Sequence, residues 1–330
     1  MKNKRTILKV FSALAIAATT CSAIAQAAVD GYPHKPVTII TPFAAGSGPD
    51  AVLRMVGEVL SKKWNQRVVV DNRPGGGGFI AIDAAKRAAP DGYTLLLLDS
   101  EQVSLLPYLY KQRNFNTLDS FDPVAVMFRT PFFVAVSAES KWKSMADLVA
   151  GAKAANGSMT YGSWGVGSPG HLGGVMVEGL SGVKMQHVVY KEISQLFISV
   201  STGEVNWSLG SLPSSRPAFQ AGKLRYLAVA APKRVPQMPD VPTVAEAGGP
   251  AGMEVSSFAV LLAPKGTADA LGRKINADVA QAIADPGIRA RFETFAFEPL
   301  AWPKAEILAN TQAKAVVYKQ LVQQGNISLD

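Results

Sequence analysis

The chain has 330 residues, 48% of them hydrophobic and 18% charged, enough for two medium α/β domains with their own cores or for one large one. Its formal charge is +8, but the basic residues are scattered rather than gathered into a stripe, which argues against a nucleic-acid partner. The single cysteine, Cys21, excludes a disulfide framework and a cysteine metal site.

Residues 1–27 read as a secretory signal peptide. Lys2, Lys4, Arg5 and Lys9 form a basic start, Val10 to Ala18 a short apolar stretch, and Ala25-Gln26-Ala27 a small-x-small cleavage site. The apolar stretch is too short to span a bilayer, and Thr20 ahead of Cys21 is the wrong residue for a lipidation site. Cleavage removes four basic residues and no acidic ones, leaving a cysteine-free chain with a charge of about +4.

The remaining chain alternates strand and helix patterns. "VTII" (37–40) reads as a strand, and Val52, Met55, Val56, Val59 and Leu60 recur at helical spacing between Pro49 and Trp64. "RVVVD" (67–71) is the next strand, "NRPGGGG" a turn, "FIAIDAAKRA" a helix and "LLLL" (95–98) a strand. A second unit starts near "FFVAVS" (132–137), and Ser144 with Asp147 reads as a capping box. "MTYG", "QHVVY", "VNWSL" and "LRYLAVA" then alternate with helices. The Pro- and Gly-rich stretch 231–250 reads as a connection. "SFAVLLAP" (257–264) is a strand, followed by two helical stretches, the last opened by Trp302-Pro303. Such alternation predicts mostly parallel sheets covered by helices.

Two turns share the form GxGxx(G/A): Gly46, Gly48 and Ala51 in "FAAGSGPDAVL", and Gly165, Gly167 and Gly170 in "YGSWGVGSPGHLGG". A strand ending in such a turn leaves the first N–H groups of the next helix pointing outward, where they can hold an anion without a cationic side chain. Ser47, Ser163 and Ser168 add hydroxyl donors. A tight βα turn alone also accounts for either copy. Two copies point to a ligand with two anionic ends. His171 has two readings, donor to an anion or cap of its own helix. A dinucleotide site, with Asp71 as the ribose acid, fits the first turn's spacing. Against it stand Asp50, which would repel pyrophosphate, and the signal peptide, which exports the chain from the cytoplasm. No HExxH, GxSxG or metal-ligand spacing occurs, and two SxxK matches lack their partner motifs. No metal and no cofactor is expected.

The runs "YPHKPVTIITPFAAGSGPDAVLRMVGEVL", "VVVDNRPGGGGFIAIDAAKRAAPDGYTLLL", "YGSWGVGSPGHLGG", "GVKMQHVVYKE", "AGKLRYLAVAAPKRVPQMPDVPTVAEAG" and "EVSSFAVLLAPKGT" resemble, in order, the Bug (TctC-type) periplasmic solute receptors of tripartite tricarboxylate transporters. The resemblance implies a type II periplasmic-binding-protein fold: two α/β lobes joined by crossing strands near "MFRTPFFVAV" and "EVSSFAVLL". Lobe 1 is then expected over 28–129 and 257–330, and lobe 2 over 130–256. It implies a monomeric periplasmic receptor that passes a small organic carboxylate to the membrane subunits of a transporter of that type. The alternative is a secreted enzyme on the same scaffold acting on a carboxylate.

On this footing the first turn contributes Phe43, Ala44, Ala45, Gly46, Ser47, Gly48 and Asp50 to ligand binding. Ser163, Trp164, Gly165, Gly167, Ser168 and His171 come from the second turn, Ser100 and Gln102 from the segment after "LLLL", and Gly210 and Ser211 from the segment after "VNWSL". The chain departs from the family at Asp99 to Gln102, at Glu192-Ile193 and at Gly210-Ser211. Gly210, standing where relatives often carry an acid, is expected to remove a partner for a ligand amine and to open room. Phe43 and Trp164 would supply flat walls. These features favour a dicarboxylate, aromatic such as terephthalate, or else linear and aliphatic.

Overall fold

A computed structural model describes residues 31–330. The expected signal peptide, its cleavage site and Cys21 lie outside the described residues. Eleven strands among these residues form two sheets. In chain order they are β1 (Val37–Thr41), β2 (Val68–Asn72), β3 (Thr94–Asp99), β4 (Phe121–Pro131), β5 (Phe133–Ser137), β6 (Thr160–Ser163), β7 (Gln186–Val189), β8 (Trp207–Gly210), β9 (Leu224–Val229), β10 (Ser256–Pro264) and β11 (Glu298–Pro299). The first sheet runs β11-β4-β10-β3-β1-β2 and the second β7-β6-β8-β5-β9.

Each sheet is mixed, not mostly parallel. β1 pairs in parallel with β2 and β3, and β6 with β7 and β8. Between those strands run helices, as the alternation predicts. β10 instead lies antiparallel to both β3 and β4, and β5 antiparallel to β8 and β9. The reason is that the chain crosses between lobes twice. β4 and β5 form one nearly continuous extended run broken at Phe132, and β10 brings the chain back, with Ser256 opposite Pro131. These are the two crossing strands the resemblance implies.

Both faces of each sheet are covered. Val37, Ile39, Leu95, Leu97 and Leu261 face one core of the first lobe, and Ile40, Leu96, Leu98 and Leu262 face the other. In the second lobe Val134, Val136 and Trp207 point one way, and Phe133 and Ala135 the other. This is period-2 alternation with both sides apolar, as a sheet buried on both faces requires.

The capping box is present, Ser144 accepting from Asp147 N–H while Asp147 accepts from Ser144 N–H. After β10 there are three helices, not two: Asp269–Ala282, Pro286–Phe295 and Lys304–Gln324. Pro286 forces the extra break, and Asp285 caps the new start by accepting Gly287 N–H at 2.8 Å. No helix among the described residues is long and apolar enough to cross a membrane.

Candidate functional site

The first glycine turn leaves the C-terminal end of β1. Thr41 Oγ1 donates to Leu97 O at 3.1 Å and accepts Phe43 N–H at 3.3 Å, which starts the turn. Phe43 packs against the first lobe's core. Ala44, Ala45 and Gly46 are exposed, Ser47 and Gly48 half-buried. Gly46 sits at φ +81°, and a Cβ there would meet nothing within 4 Å, so the turn opens onto free space. Ser47 caps the helix Gly48–Trp64. Among the described residues the N–H groups of Ala44, Ala45 and Gly48 have no acceptor.

Asp50 holds this turn from behind. Its side chain is 1% exposed. Oδ2 accepts Gly46 N–H at 2.8 Å and Arg54 Nε at 3.0 Å, and Oδ1 accepts Asn72 Nδ2 at 2.7 Å. The same Asn72 nitrogen donates to Phe43 O at 3.0 Å. Expected as a ligand contact, Asp50 instead has both oxygens engaged inside the turn. Burial alone would raise its pKa, but the bonds from Arg54, Asn72 and Gly46 outweigh it and hold the carboxyl below the usual 3.8.

The second turn follows β6. Gly165, at φ +153°, also has nothing within 4 Å of its Cβ position. Ser163 is buried; its Oγ donates to Gly165 O at 3.0 Å and accepts Gly165 N–H at 3.2 Å. Ser168 caps the helix Pro169–Ser181 while donating to Gly165 O at 2.7 Å. The N–H groups of Trp164, Val166 and Gly170 have no acceptor among the described residues. The Trp164 ring is half-buried, lies 5.7 Å from Phe132 at the lobe crossing and covers Gly170.

His171 braces the backbone just ahead of its own helix, nearer the capping reading than the anion-donor one. Its Nδ1 accepts Gly167 N–H at 3.1 Å, which fixes the turn's backbone, and its ring stacks on His187 with centroids 4.0 Å apart. His187 Nε2 lies 2.7 Å from Ser163 Oγ. Burial, and for His171 also the neighbouring His187, pushes the two pKa values down to about 3 and about 4, so both rings are neutral at pH 7. The unfolded chain takes up these protons near pH 6.5 and the folded chain does not. Stability is therefore expected to fall as pH drops from about 6.5 toward 4. Thermal midpoints measured across that range should show the slope reduced in His187→Gln, and an unchanged slope would mean that the pair titrates normally.

A third strand-to-helix turn completes the arrangement. Ser211 stands at the start of the helix Leu212–Gln220 after β8 without a side-chain capping bond, its Oγ lying 3.0 Å from Ser214 Oγ, and the N–H groups of Ser211 and Leu212 have no acceptor among the described residues. This turn meets the first one across the lobes: Pro213 Cγ lies 3.3 Å from the Cβ position of Gly48. The second glycine turn meets lobe 1 elsewhere, with Leu109 and Leu105 against Gly167. The expected facing of the two glycine turns is thus a staggered arrangement of three turns.

Three further expectations change. Gly210 adds no room to the cleft, because its Cβ position points to the buried side, 2.4 Å from the Phe197 ring. Ser100 is fully buried, where its Oγ bonds the Glu101 carboxylate at 3.2 Å and accepts Phe258 N–H at 3.2 Å. Gln102 closes a capping box with Asp99 and packs on Gly78. These residues build the frame behind the cleft.

Two arginines beside the first turn are engaged, Arg54 with Asp50 and Asn72 and Arg73 with Asp71 at 2.8 Å, whereas Arg216, on the helix of the third turn, has no side-chain partner among the described residues. The three helix starts thus carry neutral N–H groups with no acceptor among the described residues, donors of a kind suited to carboxylate oxygens. A recess of about 650 Å³ elsewhere, between Asp122, Asn276 and Lys304, has Lys304 paired with both Asp122 and Asp269, while Arg273 on its wall has no ion-pair partner among the described residues. No group of three or more His, Cys, Asp or Glu among the described residues is arranged for a metal ion.

Residues 52–327 match the model of the tripartite tricarboxylate transporter family receptor, TctC. A UPF0065 protein in the tcbD-tcbE intergenic region of Pseudomonas sp. strain P51 is 33% identical over 280 residues, 85% of this chain and 83% of that protein. A solved structure described as a periplasmic transporter is 31% identical with a TM-score of 0.80, covering 91% of this chain and all of that one. A Rhodopseudomonas palustris protein solved with adipate is 28% identical with a TM-score of 0.81, covering 90% of this chain and all of that one.

Proposed function

We infer the function of this chain from its family, for it belongs to the tripartite tricarboxylate transporter receptors, TctC. It is a periplasmic solute-binding receptor and not an enzyme. Beyond that, we propose that it binds a small dicarboxylate between lobe 1 (28–129 with 257–330) and lobe 2 (130–256), after removal of the signal peptide at 1–27. As a monomer it then delivers the ligand to the membrane subunits of a transporter of this type.

One observation supports the reading: three helix starts, spread over both lobes, carry N–H groups with no acceptor among the described residues, and two of them meet across the lobes at Gly48 and Pro213. One carboxylate is held at Ala44 to Gly48 and the other at Trp164 to Ser168 or Ser211-Leu212. An amino-acid ligand would need an anionic partner for its ammonium, since an unpaired buried charge is costly, and the first turn's acid, Asp50, has both oxygens engaged. The adipate in the R. palustris relative supports a linear diacid. The Trp164 ring suits the aromatic candidate, terephthalate.

A thermal-shift screen of the mature protein over organic acids tests this. At a hundredfold excess over Kd, binding stabilises the native state by about 2.7 kcal/mol, a rise of roughly 5–10 °C in midpoint. The bound acid should be recovered unchanged. Conversion to a product, or no shift with any carboxylate, would overturn the reading.

A further inference from the structure

The last helix and tail do more than return to lobe 1. Leu105 and Leu109 of lobe 1, Leu172 and Val175 of the lobe 2 helix, Leu321 and Val322 of the last helix belong to one buried apolar cluster, each at most 5% exposed. Its tightest point is at the second glycine turn. A Cβ on Gly167 would lie 2.5 Å from Leu109 Cδ1 and 3.2 Å from Leu105 Cδ2.

Lobe 1 grips this pad from both sides. Tyr318 OH and Ser257 Oγ both donate to the buried Glu101 carboxylate, which ties the last helix to the start of β10. Ser104 Oγ donates to Thr311 O at 2.9 Å. The tail then folds over the pad: Leu329 N–H donates to Leu109 O at 2.9 Å, and the Asp330 carboxylate accepts Lys111 and Gln112 N–H at 3.0 and 2.9 Å. The last helix and tail are thus fixed to lobe 1, and through Leu172, Val175 and Gly167 the pad meets the lobe 2 helix and turn that belong to the candidate site.

We propose that this pad is a closure latch that holds the lobes together without ligand, with Leu109 as a positioning residue clamped by the C-terminal tail. The cluster buries apolar side chains of both lobes against each other in this arrangement, and parting them would return that surface to water, so the burial favours closure whether or not the cleft is filled. Because only the closed form presents all three turns, apparent affinity scales with the fraction of closed protein. The latch thus sets affinity from outside the ligand site. The proposal rests on the two-lobe fold and not on the ligand's identity, so a failed titration with diacids leaves it standing.

The test uses the ligand-free mature chain, which has no native cysteine. Spin labels on Lys62→Cys and Lys191→Cys, both exposed and on different lobes, report the inter-lobe distance, and small-angle scattering reports the radius. In the otherwise unaltered protein one closed population is expected. In Leu109→Ala, and in a chain lacking residues 327–330, the open-to-closed ratio should rise at least tenfold, while Leu109→Met stays closed. Gly167→Ala tests the lobe 2 side, since its methyl would strike Leu109 and open the lobes; because Gly167 has φ +80°, far-UV dichroism and a Gly182→Ala control, at φ +64° with open space around it, separate backbone strain from the steric effect. A labelled protein already open without substitution overturns the latch. So do distance distributions that stay unchanged in the tail deletion and in Gly167→Ala.

Discussion

Replacing Gly48 by valine is expected to weaken carboxylate binding by roughly a hundredfold or more, equivalent to about 2.7 kcal/mol, with the fold intact. Gly48 is the first residue of its helix and not in the left-handed region, so a β-branched residue meets no backbone strain there. The effect is steric and acts across the cleft. The Cβ position already lies 3.3 Å from Pro213 Cγ and 3.3 Å from Phe297 Cζ, so the two methyl groups of valine must push the third turn away. They also crowd the Gly48 N–H, which has no acceptor among the described residues and is proposed to hold a carboxylate. Calorimetry on Gly48→Val and Gly48→Ala, with far-UV dichroism to check folding, decides it. Affinity retained in the valine variant would mean that the lobes do not meet at Pro213 when ligand is bound.

The largest loss of stability should come from Asp50→Ala. The change strands Gly46 N–H, the Arg54 guanidinium and one amide hydrogen of Asn72 around a buried gap. Removing one partner of a buried, hydrogen-bonded ion pair costs about 3–5 kcal/mol. Because Arg54 is half-exposed, the lower end of that range is expected. Asp50→Asn, which keeps an acceptor for Gly46 but loses the charge, should lie between the two. Acid acts in the same direction: with the pKa held below 3.8, the Asp50 contribution is complete above that pH and disappears as pH falls through the lowered value. Urea unfolding at pH 7 measures the variants. A loss under 1 kcal/mol in Asp50→Ala would show that the turn holds its shape without its clamp.

The strands, the long helices and the two glycine turns were legible because each is local, whereas the third turn and the staggered layout were not, since they depend on how the lobes meet. β-branched runs of four to six, apolar residues at helical spacing and serine caps before prolines carry their own signals, as at Ser168-Pro169. The direction of individual side chains was not. Asp50 lies one helical turn before Arg54 and reads as exposed until Asn72, from the neighbouring strand, is brought behind it. Gly210 points toward the cleft or toward Phe197 according to the parity of β8, which depends on where pairing with β5 begins. His171 and His187 sit on different elements, and nothing local announces that their rings stack. The antiparallel β10 was likewise hidden: its own pattern matches a parallel buried strand, and only the return crossing between lobes sets its direction.

Calorimetric titration of the mature protein with terephthalate, adipate, citrate and glutamate tests the central claim most directly, that three staggered helix starts close on a small dicarboxylate. One-to-one binding of a diacid is expected, weakened severalfold or more when either carboxylate is replaced by an amide, with glutamate weaker because its ammonium finds no free acid at the turns. Tightest binding by glutamate, or no heat from any diacid, would contradict it.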